Sequence, residues 1–146
     1  MGGDHAPDSV VGGAVIAHRR LPAVRFLLFG EETMLAPLLE QHPKLREAVE
    51  IRHSPEAISN NEKPSQALRR GIRSSMRLAV DSVQTGEAAG VVSAGNTGAL
   101  MAMSKVVLKT QPGIDRPAMI TYLPTIRGES AMLDLGANLE CNARHL

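Results

Sequence analysis

The stretch SAGNTG, residues 93–98, carries the residue types that hold an anion. Gly95 and Gly98 let backbone N–H groups approach a ligand with no side chain in the way. Ser93, Asn96 and Thr97 add hydroxyl and amide groups beside them. The apolar AGVV runs into this stretch and ALMAMSKVVLK runs out of it, so a buried strand leads through a loop into a helix. A helix N-terminus adds partial positive charge, and the whole suits a phosphate. The same residues also fit a tight turn with Asn96 or Thr97 as helix cap. The Gly-Lys-Ser/Thr of a Walker loop is absent, and the glycine spacing is not that of a dinucleotide fingerprint.

A second glycine loop opens the chain as MGGDHAP. Gly2 and Gly3 permit a sharp turn or a close approach to a ligand, and Pro7 fits the first turn of a helix. Asp4 and His5 form either an acid/base or orienting pair, or a capping turn. A third loop, LGANLE at 135–140, carries Asn138 and follows the apolar SAMLD. Arg116, before Pro117, offers a guanidinium to an anion or to a salt bridge. Asp134 ends an apolar run, where it holds a loop or a ligand. Cys141 has no activating partner nearby and reads as a structural thiol. The histidines at 5, 18, 42, 53 and 145 lack metal-ligand spacing, so no metal is expected.

These loops need a frame. Residues 9–20 predict a helix with Val10, Val11, Ala14, Val15 and Ala17 towards a core, although Gly12 and Gly13 cost it stability unless another backbone packs there. Residues 24–30, VRFLLFG, predict a strand buried on both faces. A helix over 33–41 and a weaker strand around 49–52 follow. Residues 64–84 predict the longest helix, with Leu68, Ile72, Ser75, Met76, Ala79 and Val83 on one face. Arg69, Arg73 and Arg77 form a stripe beside that face, either solvated or a docking surface for an acidic partner. AGVVSAG predicts another buried strand and 97–109 a helix. MITYLP and SAMLDLG, joined by TIRGE, predict an antiparallel pair. The sum is a single α/β domain over 1–146, with a mixed, mostly parallel sheet covered by helices. Ligands in such sheets bind beyond the carboxyl ends of strands, where the three glycine loops would lie.

Composition narrows the function classes. Aromatic residues make up only 2% of the chain, which leaves no stacking platforms for single-stranded nucleic acid. A net charge of +1 gives no basic field for duplex binding. One cysteine allows no intrachain disulfide, which fits a reducing cytoplasmic setting. The longest apolar runs are too short to span a bilayer, and no signal-peptide pattern opens the chain.

MGGDHAP, KPSQALRR with SSM, VVSAGNTGALMA, GIDRPA and LDLGAN together, in this order, resemble the bacterial phosphate acyltransferase family, PlsX. The resemblance covers essentially the whole chain. It implies transfer of a fatty acyl group from acyl-acyl carrier protein to inorganic phosphate, in phospholipid synthesis, without metal or other cofactor. It implies a three-layer α/β/α sandwich like that of phosphate acetyltransferases and isocitrate-dehydrogenase-like enzymes. It also implies a cytoplasmic homodimer at the membrane periphery, whose acyl phosphate serves glycerol-3-phosphate acylation by a downstream acyltransferase. Family members carry a hydrophobic strand before MGGDHAP and continue well past LDLGAN, so the chain is expected to be the N-terminal portion of such an enzyme, with little turnover alone. They often carry lysines where this chain has Gly71 and Ile72.

Carried onto this sequence, the resemblance assigns phosphate to Ser93, Gly95, Asn96, Thr97 and Gly98. Gly3, Asp4, Arg116 and Asn138 are expected to face the substrates. Arg69 and Arg73 are expected to dock the carrier protein. A thiolate leaves without strong acid help, so the site must bind phosphate, align it and stabilise an oxyanion; His5 or Asn96 suits that last task. Two alternatives stand beside this reading: a related enzyme acting on acyl-coenzyme A, and an inactive fragment that binds phosphate or a partner.

Overall fold

The computed structural model describes residues 2–134 of the 146. They fall into two compact units, the first running to Leu108 and the second starting at Lys109. Each is taken by itself.

In the first unit, helix α1 (Asp8–Arg20) leads to strand β1 (Phe26–Gly30). Helices α2 (Glu32–Glu40) and α3 (Pro43–Arg46) then cross over to strand β2 (Val49–His53). The strands pair in parallel, Phe26 opposite Val49 through Gly30 opposite His53. Val11 and Ala14 of α1, Leu35 and Leu39 of α2, Leu45 of α3 and Val49 of β2 form one buried cluster. Phe26, Leu28 and Ile51 pack on it from the sheet. β1 is half-buried along most of its length, not buried on both faces as VRFLLFG suggested, and among the described residues it pairs with β2 alone. Gly12 and Gly13 lie in α1 with open space where a side chain would be, so no close backbone accounts for them.

The remaining helices of this unit form a second cluster. Helix α4 (Pro64–Arg70), a 3-10 turn (Gly71–Arg73) and helix α5 (Ser75–Gln84) replace the single helix expected over 64–84. Two residues break it. A Cβ on Gly71 would lie 2.5 Å from Ile58 Cδ1 and 3.2 Å from Met103 Cε, so the neighbouring segments pack directly on this backbone. Ser74, fully buried, accepts from the Arg77 N–H at 3.2 Å as the α5 cap and donates to the Gly71 carbonyl at 2.6 Å. A serine that serves the backbone this way favours a helix start over a helix interior. The segment leaving β2 is fastened to the same break: Ser54 Oγ donates to the Arg73 carbonyl and the Ser75 N–H donates to Glu56.

The break shifts the faces. Ile72, expected on the buried face, is 60% exposed, whereas Val80 is 0% exposed. The arginine stripe is divided among α4 (Arg69), the 3-10 turn (Arg73) and α5, where Arg77 pairs with Asp81 at 2.8 Å. Helix α6 (Thr97–Val107) completes the unit, and Ala67, Met76, Ala99, Met103 and Ile58 make its core. Residues 89–95, expected as a buried strand, carry no strand pairing, and Val92 is 100% exposed. An apolar run becomes a strand only where a neighbour satisfies its N–H and C=O groups, and among the described residues no strand is paired with this one.

The second unit contains the antiparallel pair read from MITYLP and SAMLDLG: β3 (Ile120–Thr125) and β4 (Gly128–Leu133), with Ile120 opposite Leu133. Thr125 Oγ1 donates to the Gly128 carbonyl across the turn, and Gly128 sits at φ +133°.

Candidate functional site

Within the first unit, the two glycine loops meet. A Cβ on Gly2 would lie 3.4 Å from the Gly95 Cα, and one on Gly95 would lie 3.4 Å from the Gly2 Cα. Gly3 has φ +101°, and a Cβ there would lie 2.9 Å from the Ala94 carbonyl oxygen. That conformation and that contact both require glycine. Residues 2–3 and 94–95 are thus in backbone-to-backbone contact. The loop then turns into α1, with Pro7 at its N-cap and the Ser9 N–H donating to the His5 carbonyl at 2.9 Å.

Asn96 is the cap of α6: its Oδ1 accepts from the Ala99 N–H at 2.9 Å. Its Nδ2 faces the carbonyls of Ser59, Asn60 and Glu62 at 3.1, 3.2 and 2.8 Å. The Asn96 side chain is therefore fully engaged by protein, as cap and as clasp on the loop at 59–62. Gly98 continues the close fit, because a Cβ there would lie 2.8 Å from Pro64 Cγ, the first residue of α4. The first turn of a helix leaves N–H groups without intrahelical partners. With the Ala99 N–H used by the cap, those of Thr97 and Gly98 have no partner among the described residues. Ser93 Oγ accepts from the Gly95 N–H at 3.2 Å and shapes the loop.

The segment at 57–62 is the wall that sequence reasoning missed. Ile58 is buried in the helical core, and Asn60 Nδ2 donates to Asp4 Oδ1 at 2.6 Å across 56 residues of sequence. A cavity of about 190 Å³ lies between this segment and the first loop, lined by Gly2, Gly3, Ala6, Ile58, Ser59 and Asn60 among others. The available signal was SNNEKP, a polar turn before a proline-led helix, which marks a loop but not what it touches. Asp4 and His5 are both exposed.

The other residues named from sequence stand apart. Arg69 and Arg73 are exposed, and Arg69 Nε donates to the Ser65 carbonyl at 3.2 Å. In the second unit, Arg116 pairs with Asp134, whose side chain is fully buried. Of the two readings of Arg116, the structure shows the salt bridge, and Asp134 is its partner. Asn138, Cys141, His145 and the loop at 135–140 lie outside the described residues. No cluster of three metal-ligating side chains occurs among the described residues. A second cavity, about 320 Å³, lies at the carboxyl ends of β1 and β2, between Phe29, Arg52, His53 and α5. Arg52 is already paired there with Glu50 and Glu87.

Comparison with known proteins gives a consistent picture. The family described as "Fatty acid synthesis protein" matches residues 1–146. The chain is 62% identical over 146 residues to the phosphate acyltransferase of Rhodospirillum centenum, covering all of this chain and 41% of that protein. It is 59% identical to the phosphate acyltransferase of Rhodospirillum rubrum and 58% identical to that of Paramagnetospirillum magneticum, again over all of this chain and 42% of each relative. The chain thus spans about two fifths of the length of these curated relatives.

Proposed function

We propose, from the premise that this chain belongs to the fatty acid synthesis protein family, that it supplies the phosphate-binding part of an enzyme moving an acyl group from acyl-acyl carrier protein to inorganic phosphate. The observation that carries this is the glycine-to-glycine contact between residues 2–3 and 94–95, at the foot of α6. There a phosphate meets backbone donors and a helix N-terminus without a side chain between them. Relatives at about 60% identity are named phosphate acyltransferases, which supplies the reaction class.

In the proposed reaction a phosphate oxygen attacks the thioester carbonyl carbon. The carbonyl electron pair moves onto oxygen, then returns as the carbon–sulfur bond breaks and the thiolate leaves. No base is required, because phosphate is already anionic. The N–H groups of Asn96, Thr97 and Gly98, with the Ser93 and Thr97 hydroxyls, hold the phosphate, while Gly95 keeps the approach clear and its N–H donates to Ser93 Oγ. Of the two oxyanion donors read from sequence, His5 is exposed, whereas the Asn96 amide is engaged by the cap and clasp. His5 therefore takes the oxyanion, where losing such a donor costs about 3–4 kcal/mol. Gly3 lines the substrate side, whereas the Asp4 carboxylate, read from sequence as a substrate contact, accepts from Asn60 Nδ2. Arg116, read from sequence as a substrate contact, pairs instead with Asp134 within the second unit, and the readings of Asn138 and Cys141 fall outside the described residues.

Arg69 and Arg73 dock the carrier protein in this reading, now as two separate exposed points and not as one helical stripe. Family likeness further supports a three-layer α/β/α sandwich, a cytoplasmic homodimer at the membrane periphery, and hand-over of the acyl phosphate to a glycerol-3-phosphate acyltransferase. Among the described residues no helix is long and apolar enough to cross a membrane.

The test is thiol release from acyl-acyl carrier protein or acyl-coenzyme A, with and without phosphate, by the full-length protein. Phosphate-dependent release from the carrier-protein substrate is the expected result. Release only from the coenzyme A thioester would shift the substrate, and no release from either would leave only a binding role. Reversing charge at Arg69 and Arg73 should raise KM for the carrier protein and flatten its salt dependence. An unchanged salt dependence returns both arginines to the solvated surface.

A further inference from the structure

We infer that Asn60 and Asn96 are positioning residues that hold the 57–62 segment as the closing wall of the phosphate side of the site. The inference rests on the functional reading above, and it gives work to a segment that reading does not use. Three observations carry it. The Asn96 amide spans three successive features of the segment, the carbonyls of Ser59, Asn60 and Glu62, at 2.8–3.2 Å. Asn60 reaches the other way and donates to the Asp4 carboxylate at 2.6 Å. The cavity then lies between the residues so joined, with Gly2 and Gly3 on one side and Ser59 and Asn60 on the other.

The chain of contacts runs Asp4, Asn60, Asn96, α6, so the two glycine loops are tied through this third segment as well as by direct contact. Its anchor at the far end is apolar: Ile58 is buried against the Gly71 backbone. The segment itself contains no helix or strand, so it has no backbone ladder of its own to fix it. Side-chain amides supply what a ladder would. A loop held in its working conformation before ligand arrives spares the ligand the cost of ordering it. The contribution expected from these asparagines is therefore to phosphate affinity more than to the bond-making step.

Side-chain chemistry offers variants that separate this role from plain folding. Asn96→Ser keeps an oxygen to cap α6 and removes the amide donors. Asn60→Asp sets two carboxylates against each other at Asp4. The exchange Asn60→Asp with Asp4→Asn restores one donor and one acceptor with polarity reversed, so it should recover what Asn60→Asp loses.

The experiment measures KM for phosphate and kcat in phosphate-dependent thiol release by the full-length protein, with hydrogen exchange of the 59–62 amides. Asn96→Ser and Asn60→Asp should each raise KM for phosphate about tenfold and speed exchange at 59–62, with kcat within about twofold. The exchanged pair should return KM to within about threefold of the starting value. Variants with wild-type KM overturn the inference while leaving the phosphate site intact. So does an exchanged pair no better than Asn60→Asp alone, or a loss confined to kcat. A wild-type protein whose thiol release ignores phosphate overturns the functional reading itself, and the inference falls with it.

Discussion

Two sets of glycines in the first unit serve in opposite ways. Gly12 and Gly13 sit in α1, in the half that holds β1 and β2, with nothing near the position a Cβ would take. Gly2, Gly3, Gly71, Gly95 and Gly98 sit around the α4–α6 half, and each has a neighbour where its Cβ would be. Capping follows the division in part, since α4 in the helical half also lacks a side-chain cap. Neither α1 nor α2 has a side-chain cap, whereas Ser74 caps α5 and Asn96 caps α6. The sheet half is held by apolar burial, which tolerates small shifts. The helical half fixes backbone against backbone by shape and by named polar groups, which is the precision a binding site needs.

Substitutions can break or sharpen this contrast, and the largest effect belongs to Gly3. Gly3→Val places a branched side chain at φ +101° with the Ala94 carbonyl in its way. The expected outcome is loss of phosphate-dependent turnover by at least about a hundredfold, given what a misplacement of about 1 Å costs an aligned site. Next is Gly71→Val, which overpacks the contact with Ile58 and Met103 and should cost about 2–3 kcal/mol in urea unfolding. Ser74→Ala removes the α5 cap and should cost about 1–2 kcal/mol by the same measurement. Smallest, and of opposite sign, is Gly13→Ala in the exposed part of α1, which should stabilise by about 0.4–1 kcal/mol. A destabilising Gly13→Ala, or a neutral Gly71→Val, would erase the distinction between the two halves.

The same division explains what the sequence disclosed. In the sheet half, FLLFG and VEIRH became β1 and β2, and the helix read over 9–20 became α1, because apolar pattern is what holds them. The β3–β4 hairpin was legible for the same reason, two apolar runs around a glycine-bearing turn. In the helical half the pattern misled. The period across 64–84 is helical throughout, and only the tertiary fit of Gly71 and the hydroxyl of Ser74 break it. AGVV has strand composition, but strand formation depends on a partner that composition does not reveal.

The candidate site was half legible. The glycines of GGDHAP and SAGNTG announced two close approaches, and the structure brings those two loops to each other. Asn96 was open between ligand donor and cap, and its side chain is a cap. The wall at 57–62 left no periodic trace, because its fastening lies in Asn96 and Asp4, far away in the sequence.

The central claim of the proposal is that residues 93–98, packed against residues 2–3, hold the phosphate that accepts an acyl group. The most direct measurement follows acyl phosphate by phosphorus NMR, with acyl-acyl carrier protein and phosphate supplied to the full-length protein and to its Gly3→Val and Gly13→Ala variants. The account predicts an acyl phosphate signal from the wild type and from Gly13→Ala, and none from a folded Gly3→Val. Equal signals from all three would contradict it.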